Sequence, residues 1–400
     1  MIDRRDFLRL GTGAALSLAA GAQSAPPAAS AQPRIRRYVR LGRTGLEISD
    51  ISFGSASSSD PALIRYALDR GVNYFDTAES YRFGYAEEAM GAALLGIRDK
   101  VVLASKTKAG AAHTRTQMMQ ALEGSLRRLK TDHVDVYFNH AVNDIKRLQN
   151  EEWREFTEIA KRQGKIRFRG LSGHGSHLIE CLDYAIEHDL VDVVLVAYNF
   201  GQDPDFYDKL RHTFHFVAMQ PGLPQVLERA KQKDIGVIAM KTLMGARLND
   251  MRPYEGPGVT FAQAAFRWVL ASPRVDALLI SMTSKDEIAE YVGASGHAEV
   301  SQDDLRLLGI YAALHAASYC QHGCNVCEGS CPQDVPIAEV LRTRMYAVDY
   351  RNMSLARTDY AQLGGGANAC LACAHQRCLT ACPKGIPIAR FTRDAALRLA

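Results

Sequence analysis

Short apolar runs alternate with amphipathic segments from Ile48 to Met282. The runs are rich in β-branched and aromatic residues and have the length of buried strands, whereas the segments between them carry apolar residues at helical spacing. Several of these segments follow a capping residue or end at glycine, as 61–71 and 151–164 do. The eight predicted strands fall within residues 48–54, 72–78, 100–107, 133–139, 166–173, 191–199, 236–243 and 275–282.

The number of these runs decides the predicted architecture. Eight strands, each followed by a helix, over roughly 250 residues are typical of a closed (β/α)8 barrel. The alternative, an open doubly wound sheet, needs a glycine-rich phosphate loop. The three glycine-rich stretches do not fit, because 11–13 precede the domain, 173–175 lack the third glycine and 364–366 lie among cysteines. We therefore predict an α/β fold with a TIM barrel over residues 36–300. Residues 301–319 are predicted to form a connecting helix whose apolar stripe packs on the barrel.

The C-terminal part of the chain is distinguished by its cysteines, since eight of the nine lie within residues 320–400. They form two blocks: Cys320, Cys324, Cys327 and Cys331, then Cys370, Cys373, Cys378 and Cys382. Each block ends in Cys-Pro, and the second half of the first block recurs at a shift of 51 residues. Pro336 and Ile337 thereby correspond to Pro387 and Ile388. This repeat indicates a duplicated ligand loop followed by a short helix, and thiolates at such spacing converge on one ion or cluster.

Three kinds of site use closely spaced cysteines. Zinc knuckles with four thiolates have similar spacings, and disulfides occur in exported chains. Neither explains why proline follows only the fourth cysteine of each block, whereas that ending is typical of iron-sulfur ligand loops, in which the fourth cysteine of each run binds the other cluster. Residues 320–400 are therefore predicted to form a small ferredoxin-like domain with two 4Fe-4S clusters. Their predicted ligands are Cys320, Cys324, Cys327 and Cys382 for one cluster, and Cys370, Cys373, Cys378 and Cys331 for the other.

The first 31 residues have the features of a targeting segment. Arg4 and Arg5 precede an apolar stretch from Leu10 to Ala20, and small residues around 29–31 offer a cleavage site. The RRDFL core resembles a twin-arginine signal, whose export machinery carries proteins that are already folded. We therefore predict a periplasmic or otherwise exported protein. An uncleaved membrane anchor is the alternative, although the apolar run is short for a membrane span.

Composition and charge exclude one class of partner. The formal net charge is +4 at pH 7, part of it from the arginines of the N-terminal segment. The other basic residues are scattered and are not interleaved with aromatic residues, so no nucleic-acid partner is expected.

Polar residues follow three neighbouring predicted strands. Asp76 ends the second strand, Lys106 the third and His140 the fourth, and Tyr81 lies in the loop beyond Asp76. In a barrel, the carboxyl ends of the strands carry the chemistry, so these four side chains can meet in space. Each residue alone has a plain structural explanation, but the four together indicate a catalytic site.

The chain from residue 38 to about 294 resembles the aldo-keto reductases. The resemblance rests on VNYFDTAESY, SKT, VDVYFNH, GLSGHG, MKTLMG and FRWVLASPRVDALLISM. It implies that Asp76, Tyr81, Lys106 and His140 fill the four catalytic roles of the family, acting on a small carbonyl or alcohol substrate. The cysteine-rich segment resembles that of a branch of aldo-keto reductases with a C-terminal ferredoxin-like domain.

The chemistry of these four residues can also be argued directly. Reduction of a carbonyl needs a proton on oxygen, and an unperturbed phenol, with a pKa of about 10, is a weak acid for that step. Lys106 is expected to lower the pKa of Tyr81, Asp76 to keep Lys106 charged and oriented, and His140 to hydrogen-bond the substrate oxygen. The hydride must come from a nicotinamide, because no side chain donates one.

The resemblance also implies a binding site for NADP, or else NAD. The expected contact residues are Ser172, Asn199, Lys241, Leu243, Ser281 and Glu290. Gly173 and Leu195 stand where the family usually has an asparagine and a glutamine that bind the carboxamide. Lys285 is a candidate partner for the 2′-phosphate of NADP. A metal site at His174 and His177 is not favoured, since no ligand beyond Glu180 or Cys181 lies nearby in the sequence.

The two predicted cofactors leave the role of the clusters open. A nicotinamide passes a hydride, whereas iron-sulfur clusters pass single electrons, and no flavin motif is visible. The clusters could be structural or could serve a redox partner protein. The alternative to the reductase is an iron-sulfur electron-transfer protein in which the barrel holds a substrate without nicotinamide or is a degenerate scaffold.

Overall fold

The structure is a computed structural model that describes residues 32–175, 177–201, 222–243, 250–297, 299–315, 320, 324–349, 351–383 and 385–400. The predicted signal at residues 1–31 lies outside the described residues. From Pro33 to Ala400 the chain forms one compact unit, so the barrel and the cysteine-rich region share a continuous interface.

Eight parallel strands close into a barrel, and each lies within one of the eight predicted runs. The prediction of a (β/α)8 barrel is therefore confirmed. Two short strands precede these eight along the chain, so the barrel strands are numbered β3 to β10. The described strands are β1 (Tyr38–Arg40), β2 (Glu47–Ser49), β3 (Ile51–Gly54), β4 (Tyr74–Asp76), β5 (Val102–Thr107), β6 (Val134–Asn139), β7 (Ile166–Gly173), β8 (Val193–Ala197), β9 (Gly236–Met240) and β10 (Ala277–Ser281). Strands β3 to β10 follow one another around the barrel, and β10 closes it by pairing with β3.

Strands β1 and β2 form a separate antiparallel hairpin, which the sequence analysis missed. Three-residue strands are too short to show a period of two. Leu41, Leu46 and Ile48 of this hairpin belong to the apolar cluster that fills the barrel interior. The predicted run 48–54 spans both β2 and β3, because the chain turns at Asp50. The Asp50 carboxylate accepts hydrogen bonds there from the Ser295 hydroxyl at 2.6 Å and a backbone N–H at 2.8 Å.

The described helices surround the barrel and continue into the C-terminal region. They are α1 (Pro61–Asp69), α2 (Tyr85–Leu94), α3 (Arg115–Leu129), α4 (Glu151–Arg162), α5 (Leu178–Glu187), α6 (Leu223–Gln232), α7 (Phe261–Leu270), α8 (Lys285–Val292), α9 (Gln302–His315), α10 (Ile337–Val348), α11 (Met353–Ala361) and α12 (Ile388–Leu399). Side-chain caps fix several of their starts. The Asp60 carboxylate accepts from the backbone N–H of Ala62 at 2.8 Å, and Thr114 and Gln117 form a capping box.

Helix α9 confirms the predicted connecting helix over 302–315, and residues 316–319 lie outside the described part. Its buried Tyr311 contacts Phe261 on α7, with ring centroids 4.8 Å apart, and Asp304 forms an ion pair with Arg267 at 2.8 Å. The connector therefore packs on the barrel, as its apolar stripe indicated.

The cysteine-rich region consists of helices and loops, and no β-strand occurs among its described residues. Helices α10 and α12 begin at Ile337 and Ile388, at the same distance after Cys331 and Cys382, and each follows a proline. The helix start inferred from the internal repeat is thus confirmed, and the two related helices pack on each other. No helix of the described residues combines the length and the apolarity needed to cross a membrane.

One glycine inside the barrel wall allows a stability test. A Cβ on Gly170 of β7 would collide with the ring of Phe138 on β6 and lie 2.9 Å from the carbonyl of Val193. We expect Gly170→Ala to lower the free energy of unfolding by about 1–3 kcal/mol, because the packed interior has no room for the added methyl group. Urea unfolding followed by circular dichroism measures the change. Gly256→Ala is the matched control, since a Cβ there meets nothing within 4 Å; equal stability of the two variants would contradict the packing argument.

Candidate active site

The four predicted catalytic residues line one cavity at the carboxyl ends of the barrel strands. Asp76 is the last residue of β4, Lys106 lies near the end of β5 and His140 follows β6. Tyr81 enters from the turn after β4. Because neighbouring strands are in register, with Phe138 beside Lys106, the strand ends bring these side chains together.

Lys106 and Asp76 form an ion pair in the barrel wall, and each side chain is only 1% exposed. The ammonium group of Lys106 also donates to the carbonyl of Thr77 at 2.7 Å. Burial lowers the pKa of Lys106 and raises that of Asp76, while the charge of each partner opposes the shift. Removal of one partner would leave the other as an uncompensated buried charge, which costs about 3–5 kcal/mol.

Tyr81 and His140 face each other across the cavity. Their rings meet edge to face, with centroids 5.5 Å apart, and the Lys106 ammonium lies 4.8 Å from the Tyr81 ring centroid. Burial raises the pKa of Tyr81 well above its usual value, and the carboxylates of Asp76 and Asp359 add to the effect. The expected net lowering of the Tyr81 pKa by Lys106 is therefore not found, because burial and the carboxylates outweigh the nearby ammonium. Tyr81 is thus protonated in this structure, as a proton donor must be before it reacts.

His140 is held as a neutral imidazole. Burial lowers its pKa well below the usual value, and the positive charges of Lys106, Lys108, Arg147 and Lys241 lower it further. Its Nδ1 lies 3.5 Å from the Ser80 hydroxyl. A neutral imidazole beside several cations can donate a hydrogen bond to an oxygen that gains negative charge.

Arg147 holds the loop that carries His140. Its guanidinium donates to the carbonyl of His140 at 2.9 Å, to that of Ala141 at 2.8 Å and to the Asn139 side chain at 2.6 Å. Burial lowers the pKa of Arg147 to about 10, so it remains charged at neutral pH. The sequence analysis missed this residue, because its role depends on carbonyl groups that only the fold brings together.

The predicted cofactor residues divide into two sets. Ser172, Lys241, Leu243 and Ser281 line the cavity together with the catalytic residues. Asn199 and Glu290 do not line it. The Asn199 amide donates to the carbonyl of Lys241 at 3.1 Å and accepts from the N–H of Gly201 at 2.9 Å. It therefore shapes the backbone next to Lys241.

The cavity wall around the predicted nicotinamide position is largely apolar. Leu195, Leu279 and Ile280 line it, and the hydroxyls of Ser172 and Ser281 are the nearby polar groups of this wall. Ser172 accepts from the N–H of Ala141 at 3.0 Å, which leaves its own proton able to bind a carbonyl. Gly173 and Leu195 leave this wall without the two amide side chains that the resemblance implies for the family.

His174 and His177 are not joined in one site. His174 lines the cavity, whereas the His177 imidazole lies 3.3 Å from the Glu180 carboxylate at the surface. Lys285 is also placed apart from the cavity, with its ammonium 5.4 Å from the ring centroid of Tyr66.

The cysteine-rich region supplies one wall of the same cavity. Tyr346 of α10 and Asn352, Leu355 and Asp359 at α11 line it with Tyr81. The sequence analysis missed all four, because they lie more than 250 residues from Tyr81 in the chain and form no motif.

Buried ion pairs join this wall to the barrel. Lys108 donates to Asp359 at 2.9 Å. Arg342, about nine-tenths buried, pairs with the same carboxylate at 3.1 Å and with Glu339 at 2.6 Å. The Asn143 amide of a barrel loop reaches Glu339 at 3.3 Å. The wall is thereby fixed across the mouth of the barrel.

The nine cysteines are all free thiols, so disulfides do not form in this structure. Burial raises the pKa of Cys320 well above its usual value, and the neighbouring thiols of Cys327, Cys324 and Cys382 raise it further. A second group, Cys331, Cys370, Cys373 and Cys378, lines another cavity. Both groups contain the fourth cysteine of the opposite block, as in the predicted ligand sets.

The spacing within these groups bears on their ligand. Among the described residues, no three His, Cys, Asp or Glu side chains lie close enough to hold one metal ion. Val335, Ile337 and Ile388 line the second cavity with the thiols, so its lining is both apolar and thiol-bearing. Cys181 lies apart, fully buried, as expected for a small apolar residue.

Comparison with known proteins supports the assignment of the barrel. The family model described as "Aldo/keto reductase family" matches residues 51–310. An uncharacterized oxidoreductase of Bacillus subtilis is 25% identical over 299 residues, covering 68% of this chain and 95% of the relative. L-glyceraldehyde 3-phosphate reductase of Escherichia coli is 24% identical over 315 residues, covering 67% and 90%.

Solved structures agree with this result. A putative aldo-keto reductase from Pseudomonas aeruginosa superposes with a TM-score of 0.52 at 25% identity, covering 67% of this chain and 97% of that one. An aldo-keto reductase from Bacillus halodurans in its holo form, at 20% identity, shares the fold with a TM-score of 0.54, covering 70% and 96%. Because the family match extends over more than half of the chain, the protein belongs to the aldo/keto reductase family and is an oxidoreductase of that type.

Proposed function

We propose that this oxidoreductase is exported and uses NADPH to reduce an aldehyde or ketone, or oxidises the corresponding alcohol in reverse, with Tyr81 as general acid and base. The observation that carries the proposal is the cavity in which Tyr81, Lys106, Asp76 and His140 meet. Family membership and this assembled set favour the enzyme over an electron-transfer protein with a degenerate barrel. NAD is the alternative cofactor.

The protein residues have separate tasks in this reaction. A bound nicotinamide supplies the hydride that goes to the carbonyl carbon. Tyr81, which burial keeps protonated before the reaction, gives its proton to the carbonyl oxygen as negative charge develops there. His140 donates a hydrogen bond to the same oxygen. The Lys106 ammonium, kept charged by Asp76, stabilises the tyrosinate that remains until a proton returns.

Four of the predicted residues are suited to hold the nicotinamide cofactor. Leu243 and the hydroxyls of Ser172 and Ser281 line the wall beside the catalytic set, and Lys241 adds a cation for a phosphate group. The loss of two amide side chains at Gly173 and Leu195 is expected to weaken carboxamide binding, and the Ser172 hydroxyl remains as a donor in the same cavity.

We further propose that the C-terminal region holds two 4Fe-4S clusters. The two groups of free thiols and the repeated helix starts at Ile337 and Ile388 support this reading. The Arg393 guanidinium donates to the carbonyls of Cys370 at 2.9 Å and Cys373 at 3.0 Å, which holds one loop in shape. A redox partner protein would exchange electrons with these clusters, and the twin-arginine machinery would export the folded, loaded protein to the periplasm.

The catalytic role of Tyr81 is tested by anaerobic NADPH oxidation with a panel of aldehydes and ketones. Because Tyr81→Phe removes the proton donor, kcat should fall about 10²–10⁴-fold. Tyr85→Phe makes the same chemical change at an exposed tyrosine of α2 and should keep full activity. Turnover that survives in Tyr81→Phe would assign the acid to another group.

The cluster assignment is tested by metal and sulfide analysis of the full chain after anaerobic reconstitution. We expect about eight irons and eight sulfides per chain, since two four-iron clusters are bound. Cys331→Ser and Cys382→Ser should each remove about half of the iron, because each takes away the fourth ligand of one cluster. Cys181→Ser should leave the iron content unchanged. Stoichiometric zinc without sulfide would replace the clusters by zinc sites.

The export route is tested by fusing residues 1–31 to a reporter protein that folds before export. We expect the reporter in the periplasm, and we expect the double substitution of Arg4→Lys and Arg5→Lys to retain it in the cytoplasm. Cell fractionation measures both. Export that is unaffected by the substitutions would point to another pathway.

A further inference from the structure

One side chain of the cysteine-rich region contacts a predicted cofactor residue of the barrel. Tyr346 lies near the C-terminal end of α10 and lines the cavity together with Lys241 and His174. The family match ends at residue 310, so α10 lies outside the part of the chain that the family model covers.

We propose that Tyr346 is a positioning residue that holds the Lys241 ammonium in the active-site cavity, so that the binding of an anionic cofactor by the barrel depends on the cysteine-rich domain. The inference rests on the proposed function, in which Lys241 binds the nicotinamide cofactor through a phosphate group.

Three hydrogen bonds fix the phenol of Tyr346. Lys241 Nζ donates to its oxygen at 2.8 Å, and Arg342 Nη1 donates to it at 3.0 Å. These two donors occupy both lone pairs of the oxygen. The phenol proton is then directed to His174 Nδ1, which lies 3.1 Å away. Tyr346 therefore orders a lysine, an arginine and a histidine that come from three different elements.

The ring of Tyr346 adds a second restraint on Lys241. The ammonium lies 4.2 Å from the ring centroid, within the range of a cation–π contact. On the barrel side, Asn199 binds the backbone carbonyl of Lys241 at 3.1 Å, and the residue itself has a left-handed φ of 57°. Backbone and side chain are thus held from opposite sides, one by the barrel and the other by α10.

The charges around Lys241 explain why the position matters. Burial and the positive charge of Arg342 lower the pKa of Lys241 to about 7, against the opposing effect of Asp359 and Glu339. The Tyr346 oxygen adds an acceptor for the charged form of the lysine. Lys241 is therefore partly charged at neutral pH, and a bound phosphate would favour the charged form.

The sign of the pH dependence follows from this balance. Below about pH 7, Lys241 is mostly charged and attracts the anionic cofactor. Above that pH, Lys241 is mostly neutral and the attraction is lost. We expect NADPH affinity to fall as the pH rises through about 7. Loss of the Tyr346 hydroxyl removes an acceptor that stabilises the ammonium. The decrease in NADPH affinity should therefore occur at a lower pH in Tyr346→Phe than in the wild-type protein.

The experiment measures NADPH dissociation constants of the full-length protein by fluorescence titration between about pH 6 and pH 9, a range that brackets the lowered pKa of Lys241. We expect Tyr346→Phe to weaken binding about ten-fold near neutral pH, as for the loss of a hydrogen bond to a charged group. Lys241→Met should weaken it at least as much and abolish the pH dependence.

Tyr360→Phe is the matched control. It also removes one buried tyrosine hydroxyl of the same domain, but that hydroxyl accepts from the backbone N–H of Ala367 at 2.8 Å and does not line the cavity. Arg342 keeps its ion pairs with Glu339 and Asp359 in Tyr346→Phe, so the domain should remain folded. Thermal unfolding and iron content verify this for each variant.

The outcomes separate the inference from the proposed function. Normal affinity and an unshifted pH profile in Tyr346→Phe, with weakened binding in Lys241→Met, would overturn the positioning role and leave the reductase standing. An equal loss in Tyr346→Phe and Tyr360→Phe would also overturn it, because the cause would then be general destabilisation. If the wild-type chain binds no NADPH, the nicotinamide-dependent function fails, and the inference fails with it.

Discussion

The active site depends on a charge that is buried inside the barrel wall. Lys106 is almost fully removed from water, and an ammonium in that position is stable only when an anion and a carbonyl are fixed beside it. Asp76 and the Thr77 carbonyl meet that requirement from the adjacent strand. The register of β4 and β5 is therefore tied to the chemistry, because a shift of one residue would turn these side chains away from each other.

The same constraint operates where the cysteine-rich region meets the barrel. Arg342 is buried at the interface and pairs with Glu339 and Asp359, while Asp359 also binds Lys108 of the barrel. Each of these groups needs its partners in place, so the two parts of the chain cannot separate without exposing or stranding several charges. This network gives the cavity a fixed second wall.

The cysteine loop that ends at Cys331 lies at the other end of helix α10, which forms part of that wall. Helix α10 starts just after Cys331 and carries Tyr346 at the cavity. Helix α10 therefore connects the cysteine loop, which precedes its first residue, to the active-site cavity, which its C-terminal end lines. A structural role for the clusters proposed above is thus compatible with the proposed hydride transfer, because ordering this helix requires no exchange of electrons with a nicotinamide.

Local sequence determined the barrel, the catalytic set and the internal repeat. The eight strands, the positions of Asp76, Lys106 and His140 at strand ends, and the starts of α10 and α12 can be read from it because they depend on neighbouring residues and on a regular architecture. Only the tertiary structure decided three further features. They are the packing of Leu41 and Leu46 against the barrel interior, the raised pKa of Tyr81, and the cavity wall that the cysteine-rich region supplies with Tyr346. Those features arise from burial and from contacts between segments far apart in the chain, for which short-range patterns carry no signal.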